Sequence, residues 1–440
     1  MQVMKLRGQL PSQMMQEKIA ALLPQIENLY KDLHRSPELS MHETQTASKV
    51  AEQIKAIGAY EVASGVGKTG VVCVLRNGEG PTVALRADMD ALPVEEKTGL
   101  PYASTVRSKD PYGNDVPVMH ACGHDIHTAC LVGAAQLMSQ CKDYWRGTFM
   151  ALFQPGEETL QGAEAMLRDG VFKRFPRPDY LLGQHATQLP TGTVQHRAGI
   201  MAKAVTNLQV RIFGVGGHGA MPENTIDPVI IAAGAIMRMQ TIVSREISAR
   251  YQPVITVGSV QAGLKANVIP DEAMMLITLR STDDDALKRM VEAVKRTIIL
   301  EAQISHAPRE PEITVSEHGP MLSNDHKLTE RIEAAHRAYF KNEHVMKMPY
   351  PLPASEDFGA FGIAGPAHFP PPDIPYCYWT IGTTRADRWA QVPGHDPLEK
   401  TSQLPGPHSP LFAPEPTPSL RTGIEALTVA ALELLSQPEA

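Results

Sequence analysis

The sequence predicts an α/β protein in two parts, the second a small α+β sandwich inserted into the first, and three observations carry that expectation. The chain has 440 residues, more than one hydrophobic core usually holds. Short valine-rich runs bounded by Gly or Pro alternate with segments of helical period. From residue 204 the order becomes βαββα with a further short strand, the split arrangement of a ferredoxin-like sandwich. The expected boundaries are 1–203 with 317–440 for the main domain and 204–316 for the insertion.

Taken in order, Ile19, Leu22, Leu23, Ile26, Leu29 and Leu33 recur at helical spacing, which predicts a helix over 14–33 that stops before Ser36-Pro37. His34 and Glu38 follow as residues of a polar turn, and a second helix is expected over 43–57. Strands are expected over 70–75 and 82–86. The second runs into Arg86-Ala87-Asp88-Met89-Asp90-Ala91-Leu92-Pro93. Carboxylates at the carboxyl end of a buried strand lie where open α/β sheets place their sites. Asp88 and Asp90, two apart, share a face of extended chain.

The densest stretch is His120-Ala121-Cys122-Gly123-His124-Asp125-Ile126-His127, ahead of a helix over 128–139. Three imidazoles, a thiol and a carboxylate in eight residues exceed what folding requires. On extended backbone Cys122 and His124 point to one side, and Gly123 leaves room for an ion. A thiolate with an imidazole suits zinc, and manganese, cobalt and nickel are compatible with the ligand types. Two readings fit this stretch alone. It is half of a metal site, or it is a small buried thiol followed by polar residues that open a helix.

The strand expected over 147–154 ends in Gln154-Pro155-Gly156-Glu157-Glu158. Adjacent carboxylates point apart, so one can bind an ion while the other carries a proton, the division that metal-assisted hydrolysis requires. The strand over 180–185 ends on His185, so three successive strand ends supply acid or imidazole. In the insertion, strands are expected over 207–213, 254–261, 274–280 and 313–316, with helices over 228–244 and 283–301. Gly214-Val215-Gly216-Gly217-His218-Gly219-Ala220 does not fit G-x-G-x-x-G, which sets a nucleotide loop aside. An exposed sheet edge in such a sandwich often pairs with another chain, so a homodimer through the insertion is expected. The chain then returns to the main domain through a helix over 328–340 and a strand over 377–381. A Pro-, Gly- and His-rich stretch over 385–418 holds His395 and His408, and a helix over 420–436 closes the chain.

A net charge of -7 without runs of Lys or Arg speaks against nucleic acid and anionic lipid as partners. Five cysteines, odd in number and without framework spacing, point to a reducing compartment. No eighteen apolar residues run together and residues 1–10 hold no apolar leader, so a soluble, cytoplasmic protein without membrane partners is expected.

Six motifs appear in a fixed order: the Arg86 to Pro93 run, the His120 to Asp125 run, Gln154-Pro155-Gly156-Glu157-Glu158, Gly216-Gly217-His218-Gly219-Ala220, Asn267-Val268-Ile269-Pro270 and Ser355-Glu356-Asp357-Phe358. Together they resemble the binuclear metallopeptidase family that includes aminoacylase, hippurate hydrolase and the hydrolases of indole-acetyl amino acids. The resemblance implies a zinc-peptidase-like catalytic domain, with a mixed central sheet flanked by helices, and a smaller inserted lid. It implies two divalent ions, zinc or manganese foremost, bridged by Cys122 and completed by His124, Glu158, His185 and His408. His408 is preferred to His395 because His408-Ser409-Pro410-Leu411-Phe412 matches the family's His-x-Pro-x-Phe. Glu157 takes the place of the general base, and Asp90 sits behind a metal ligand. His218 is implied to reach an active site, its own or a partner subunit's, and to steady the oxyanion. Asn267 and Arg280 are implied to hold a substrate carboxylate. Two departures stand out: Glu223 follows Pro222 where many relatives carry histidine, and the loop over 385–407 is long and rich in proline.

The implied activity is hydrolysis of N-acyl amino acids or similar small amides by metal-activated water. A dipeptidase or carboxypeptidase of the same fold needs a site for a free amino group, which the sequence does not display. A papain-like thiol hydrolase built on Cys122 leaves Glu157, Glu158 and His185 unexplained. An inactive metal-binding dimeric scaffold does not need Glu157.

Overall fold

The computed structural model describes residues 12–111, 113–362 and 373–436, so the expectation for residues 1–10 falls outside the described residues. The chain forms two compact units. Unit 1 takes the chain up to Gly199, Ser323–Tyr350 and everything from Asp357 onward; unit 2 takes Ile200–Leu322 and Pro351–Glu356. The segment expected as the insertion, 204–316, lies within unit 2.

Unit 1 is built on an eight-stranded mixed sheet. Its strands are β1 (Glu61–Val66), β2 (Gly70–Asn77), β3 (Thr82–Asp88), β4 (Gly147–Gln154), β5 (Tyr180–Pro190), β6 (Val194–His196), β7 (Val345–Lys347) and β8 (Tyr376–Thr384), in the order β1-β2-β4-β3-β5-β8-β6-β7. The central strands β4, β3, β5 and β8 are mutually parallel, so their carboxyl ends share one edge. Their near-continuous burial is what parallel strands covered on both faces require.

The helix Ser12–Arg35 buries the Ile19 to Leu33 stripe against the helix His124–Gln140, which is itself buried nearly all round. A Cβ on Gly133 would lie 2.6 Å from Ile424, so glycine lets this central helix approach Pro416–Leu435 closely. The Glu38 carboxylate accepts the N–H groups of Gln45 and Thr46 and so caps the helix Thr44–Ile57.

Unit 2 is a four-stranded antiparallel sheet in the order Val254–Ala262, Glu272–Ser281, Ala204–Phe213, Glu312–Gly319. Helices Pro228–Thr241 and Asp284–Ile304 share its core with Leu208, Val210, Ile212, Met275 and Ile277. Asp227 and Asp283 cap these two helices. The first is shorter than its apolar run predicted, because one π turn, Ile242–Glu246, follows Thr241. The proline-rich loop over 385–407 also differs from expectation, since it holds two short helices, Ala386–Gln391 and Pro397–Thr401.

On β6, His196 donates from Nε2 to Nδ1 of His336 at 2.8 Å, and His336 donates from Nε2 to the Ala426 oxygen at 2.9 Å. Both rings are buried and neutral: burial pushes His336 down to about 4, and burial with the His336 and Arg337 charges pushes His196 well below its usual value. Below the unfolded value of 6.5 the unfolded chain takes up a proton that folded His336 refuses until about pH 4, so stability falls across that window as pH drops. Denaturant titrations are expected to show a loss of about 2 kcal/mol from this residue between about pH 7.5 and about pH 5. His336→Gln, which keeps a donor and an acceptor, is expected to show a correspondingly smaller loss.

Candidate metal centre

The centre lies at the carboxyl edge of the unit 1 sheet, where β3 and β5 part. Their register ends at Arg86 opposite Gly183. β3 continues beside β4 as far as Asp88, and β5 continues beside β8 through His185 and Ala186. Into this opening comes the N-terminus of the helix that begins at His124.

Cys122 and His124 are not on extended backbone, as their spacing suggested. Gly123 is left-handed with φ of 82° and His124 already opens the helix, four residues before the expected start. A Cβ on Gly123 would also press on Ala186 at 3.2 Å. The two donors converge through a tight turn rather than through strand alternation.

His124 donates from Nδ1 to the Asp90 backbone oxygen at 2.9 Å, with Asp90 Oδ1 at 3.2 Å. In the neutral ring that places the proton on Nδ1 and leaves Nε2 open. The other Asp90 oxygen accepts the N–H of Glu158 at 2.9 Å and the Ser40 hydroxyl at 2.6 Å. One carboxylate thus orients two donors. His185 donates from Nδ1 to the Ala186 oxygen at 2.7 Å, and its Nε2 lies 3.4 Å from Cys122 Sγ. His408, held by its N–H to the Ala121 oxygen, brings Nε2 to 3.3 Å from Glu158. His395 is exposed, and its N–H is tied to Glu399 at 2.7 Å.

These groups fit a metal. Nε2 of His124 and Oε1 of Glu158 are buried, 3.8 Å apart, and neither has a hydrogen-bond partner among the described residues. Such orphaned atoms cost about 1–3 kcal/mol each unless something binds them. Two overlapping donor groups, Cys122 with His124 and His185 and Cys122 with Glu158 and His408, share the sulfur. Glu157 is also buried, with a carboxylate oxygen 3.8 Å from His124 Nε2.

The electrostatics lead the same way. Burial pushes the Cys122 thiol well above its usual value, and the charges of Glu158, Glu157 and Asp88 push it further. Burial opposes protonation of His124, yet Asp88, Asp90 and Glu158 raise it to about 10. The metal-free centre draws a proton to offset its carboxylates. A divalent cation reverses that logic and holds the thiol as thiolate.

Asp88, His124 and His127 also lie close together, but Asp88 and His127 are already engaged. Asp88 accepts from Arg86 and His127, both at 2.6 Å, and His127 Nε2 accepts the Ala186 N–H at 2.8 Å. Sequence reasoning gave no role to Arg86, His127 or Glu43. Glu43, buried at the start of its helix, accepts from Gly156 at 2.8 Å and from Thr69 at 2.6 Å, and nothing in its local sequence marks it. His34, read as a turn residue, is buried between Asp125 at 2.6 Å and Glu96 at 3.0 Å. Burial works against its charge, but these two carboxylates raise it to about 9.

The remaining expected residues belong to unit 2. His218 is exposed and its Nδ1 accepts the Ala220 N–H at 3.0 Å, while Asn267 is exposed and its backbone oxygen accepts from Gly219. Arg280 donates to the Pro353 oxygen at 3.2 Å and to Ser355 Oγ at 3.0 Å.

A sulfur shared by two donor groups, with a further buried carboxylate beside them, is the donor set that metal-dependent hydrolysis calls for. The model of peptidase family M20/M25/M40 matches residues 84–397. The chain is 34% identical over 370 residues to the N-acetylcysteine deacetylase of Bacillus subtilis (strain 168), covering 82% of this chain and 89% of that one. It is 35% identical over 348 residues to the hippurate hydrolase of Campylobacter jejuni, covering 78% and 86%. The solved structure of the YxeP protein of Bacillus subtilis, described as a dinuclear metal binding peptidase from the M20 family, aligns with a TM-score of 0.68 at 27% identity, over 95% of this chain and 100% of that one. The chain belongs to peptidase family M20/M25/M40, and it is a hydrolase of amide bonds.

Alkylation of Cys122, followed by mass spectrometry of its peptide, tests the electrostatic reading. In metal-free protein the reaction is expected to be slow near neutral pH and to accelerate as pH rises. Added divalent ion is expected to suppress it. Fast, metal-independent alkylation near neutral pH would instead reveal a thiol activated by His185.

Proposed function

We propose that this chain hydrolyses N-acyl amino acids and similar small amides, releasing a carboxylic acid and an amine, with two divalent ions, zinc or manganese, held by Cys122, His124, Glu158, His185 and His408. The observation that carries the reading is the pairing of Glu158, whose orphaned Oε1 faces His124 Nε2, with the adjacent buried carboxylate of Glu157. When bound, the ions polarise the substrate carbonyl and lower the pKa of water.

The protein groups divide the remaining work. Glu157 takes the proton from the attacking water and delivers it to the leaving nitrogen, which would otherwise depart as an unstable anion. Asp90 keeps the bare nitrogen of His124 and the backbone of Glu158 in register. His218 is assigned to the oxyanion. With Nδ1 already accepting from Ala220, the ring proton sits on Nε2, which is presented as a donor. Arg280, steadied by Pro353 and Ser355, and Asn267 are assigned to the substrate carboxylate.

A homodimer through unit 2 is part of the same reading. Its edge strand Val254–Ala262 carries exposed Val254 and Val260, with exposed Leu264 just beyond. The free cysteines Cys73, Cys122, Cys130, Cys141 and Cys377 are all buried, which suits a reducing, cytoplasmic setting. No helix among the described residues is long and apolar enough to cross a membrane.

Metal analysis with hydrolysis of an N-acyl amino acid panel, dipeptides included, tests the reading on wild type and two variants. Glu157→Gln is expected to keep two ions and lose about 10²–10⁴-fold in kcat. His218→Ala is expected to lose about 10²-fold in kcat with a smaller change in KM, as the loss of an oxyanion donor does. Undiminished turnover by Glu157→Gln removes the proposed base, and a wild type that takes up no divalent ion removes the mechanism.

A further inference from the structure

His127 stands among the presumed ligands, yet it is not one of them. Its ring centroid lies 4.6 Å from that of His185 and 5.4 Å from that of His124, and both of its nitrogens are occupied by protein. Nδ1 donates to Asp88 Oδ1 at 2.6 Å, and Nε2 accepts the backbone N–H of Ala186 at 2.8 Å.

The second of these bonds replaces part of a β-ladder. β3 pairs with β5 only as far as Arg86 opposite Gly183, while β8 keeps pairing with β5 through His185 and Ala186. Beyond Gly183 the edge of β5 that faced β3 has lost its strand, and a buried N–H left there without an acceptor is costly. The imidazole supplies that acceptor. On the same residue, the Ala186 oxygen accepts from His185 Nδ1 at 2.7 Å. Ala186 is therefore gripped at its N–H by His127 and, through its own oxygen in the next peptide unit, holds the ring of His185.

The tautomer that makes this work is enforced from behind. Asp88 Oδ2 accepts from Arg86 at 2.6 Å, and the Asp88 backbone oxygen accepts from Thr128 at 2.8 Å. Arg86 in turn donates to Gln154 at 2.8 Å and to Asp357 at 3.2 Å. Asp88 thus presents Oδ1 as a fixed acceptor, the His127 proton stays on Nδ1, and Nε2 stays free to accept.

We propose that His127 is a positioning residue that stands in for the missing strand beside β5 and, through the backbone of Ala186, holds His185 with Nε2 toward Cys122. The proposal rests on the reading of His185 as a metal ligand. Its consequence is selective: His127 touches the His185 side of the centre, whereas His124 and Glu158 are oriented by Asp90.

Zinc titration of the full chain against a chelating dye tests it, with stoichiometry and both affinities as readouts. His127→Ala is expected to weaken one of the two ions by about 10–100-fold, the usual cost of losing a group that orients a ligand, and to leave the other within a few-fold. His127→Gln, whose Oε1 reaches about as far as Nε2, is expected to recover most of that loss, which a merely space-filling role would not predict. His127→Ala with two ions at wild-type affinity overturns the proposal. His185→Ala separates this from failure of the underlying reading: if it binds zinc as wild type does, His185 is no ligand, and if it is weakened while His127→Ala is not, the proposal alone falls. Should His127→Ala not fold, the wild type decides. The Ala186 amide is expected to resist hydrogen exchange as strongly as the ladder amides of Leu182 and Gly183, and rapid exchange there overturns the assignment.

Discussion

The parting of β3 from β5 past Arg86 and Gly183 is the constraint on which the centre depends. Two parallel strands that separate while each keeps its outer neighbour leave a crevice at their carboxyl ends, with backbone groups that need new partners. The chain fills it with the helix His124–Gln140, whose first turn carries His124, Asp125 and His127. The groups proposed for the centre are tied to this opening: Cys122 and His124 through the turn at Gly123, Glu157 and Glu158 just past the end of β4, and His185 through β5 itself. His408 joins from the closing segment by a hydrogen bond to Ala121, inside the turn.

Charge is the second constraint. Asp88 and Asp357 share Arg86, and Asp125 and Glu96 share His34, so these buried carboxylates are matched by cations of the protein. Glu158 has no fixed cation of this kind: among the described residues no Lys or Arg pairs with it, and its neighbours are the imidazoles of His408 and of His124, which is a cation only while it holds an extra proton. A buried carboxylate, a buried thiol and bare imidazole nitrogens make a poor structural cluster and a good metal cradle. The same shortage of positive charge makes a thiol nucleophile implausible, because Glu157, Glu158 and Asp88 hold the Cys122 proton on.

Much of this was legible along the chain. Valine-rich runs marked β2 and β3, helical spacing marked Ser12–Arg35, and acid at or just past the ends of β3 and β4 marked the edge where the site lies, whereas His185, expected to end its strand, lies midway along β5, which runs on to Pro190. The rest was hidden for identifiable reasons. Extended geometry was the wrong basis for pairing Cys122 with His124, because a left-handed glycine turns the chain between them. His34 looked like a turn residue because its carboxylate partners lie 91 and 62 positions away. Glu43 had no signature because its partners Thr69 and Gly156 lie 26 and 113 positions away.

The sequence by itself determined which donor atoms exist and in what order they arrive: one thiol, paired glutamates and histidines at strand and helix ends. Only the tertiary structure decided which of those atoms remain free to bind. A histidine offers whichever nitrogen its neighbours leave bare, and here the neighbours are remote. Asp90, 34 residues before His124, fixes that ring with Nε2 open, whereas Ala186, 59 residues beyond His127, takes the nitrogen that would otherwise have made His127 a ligand.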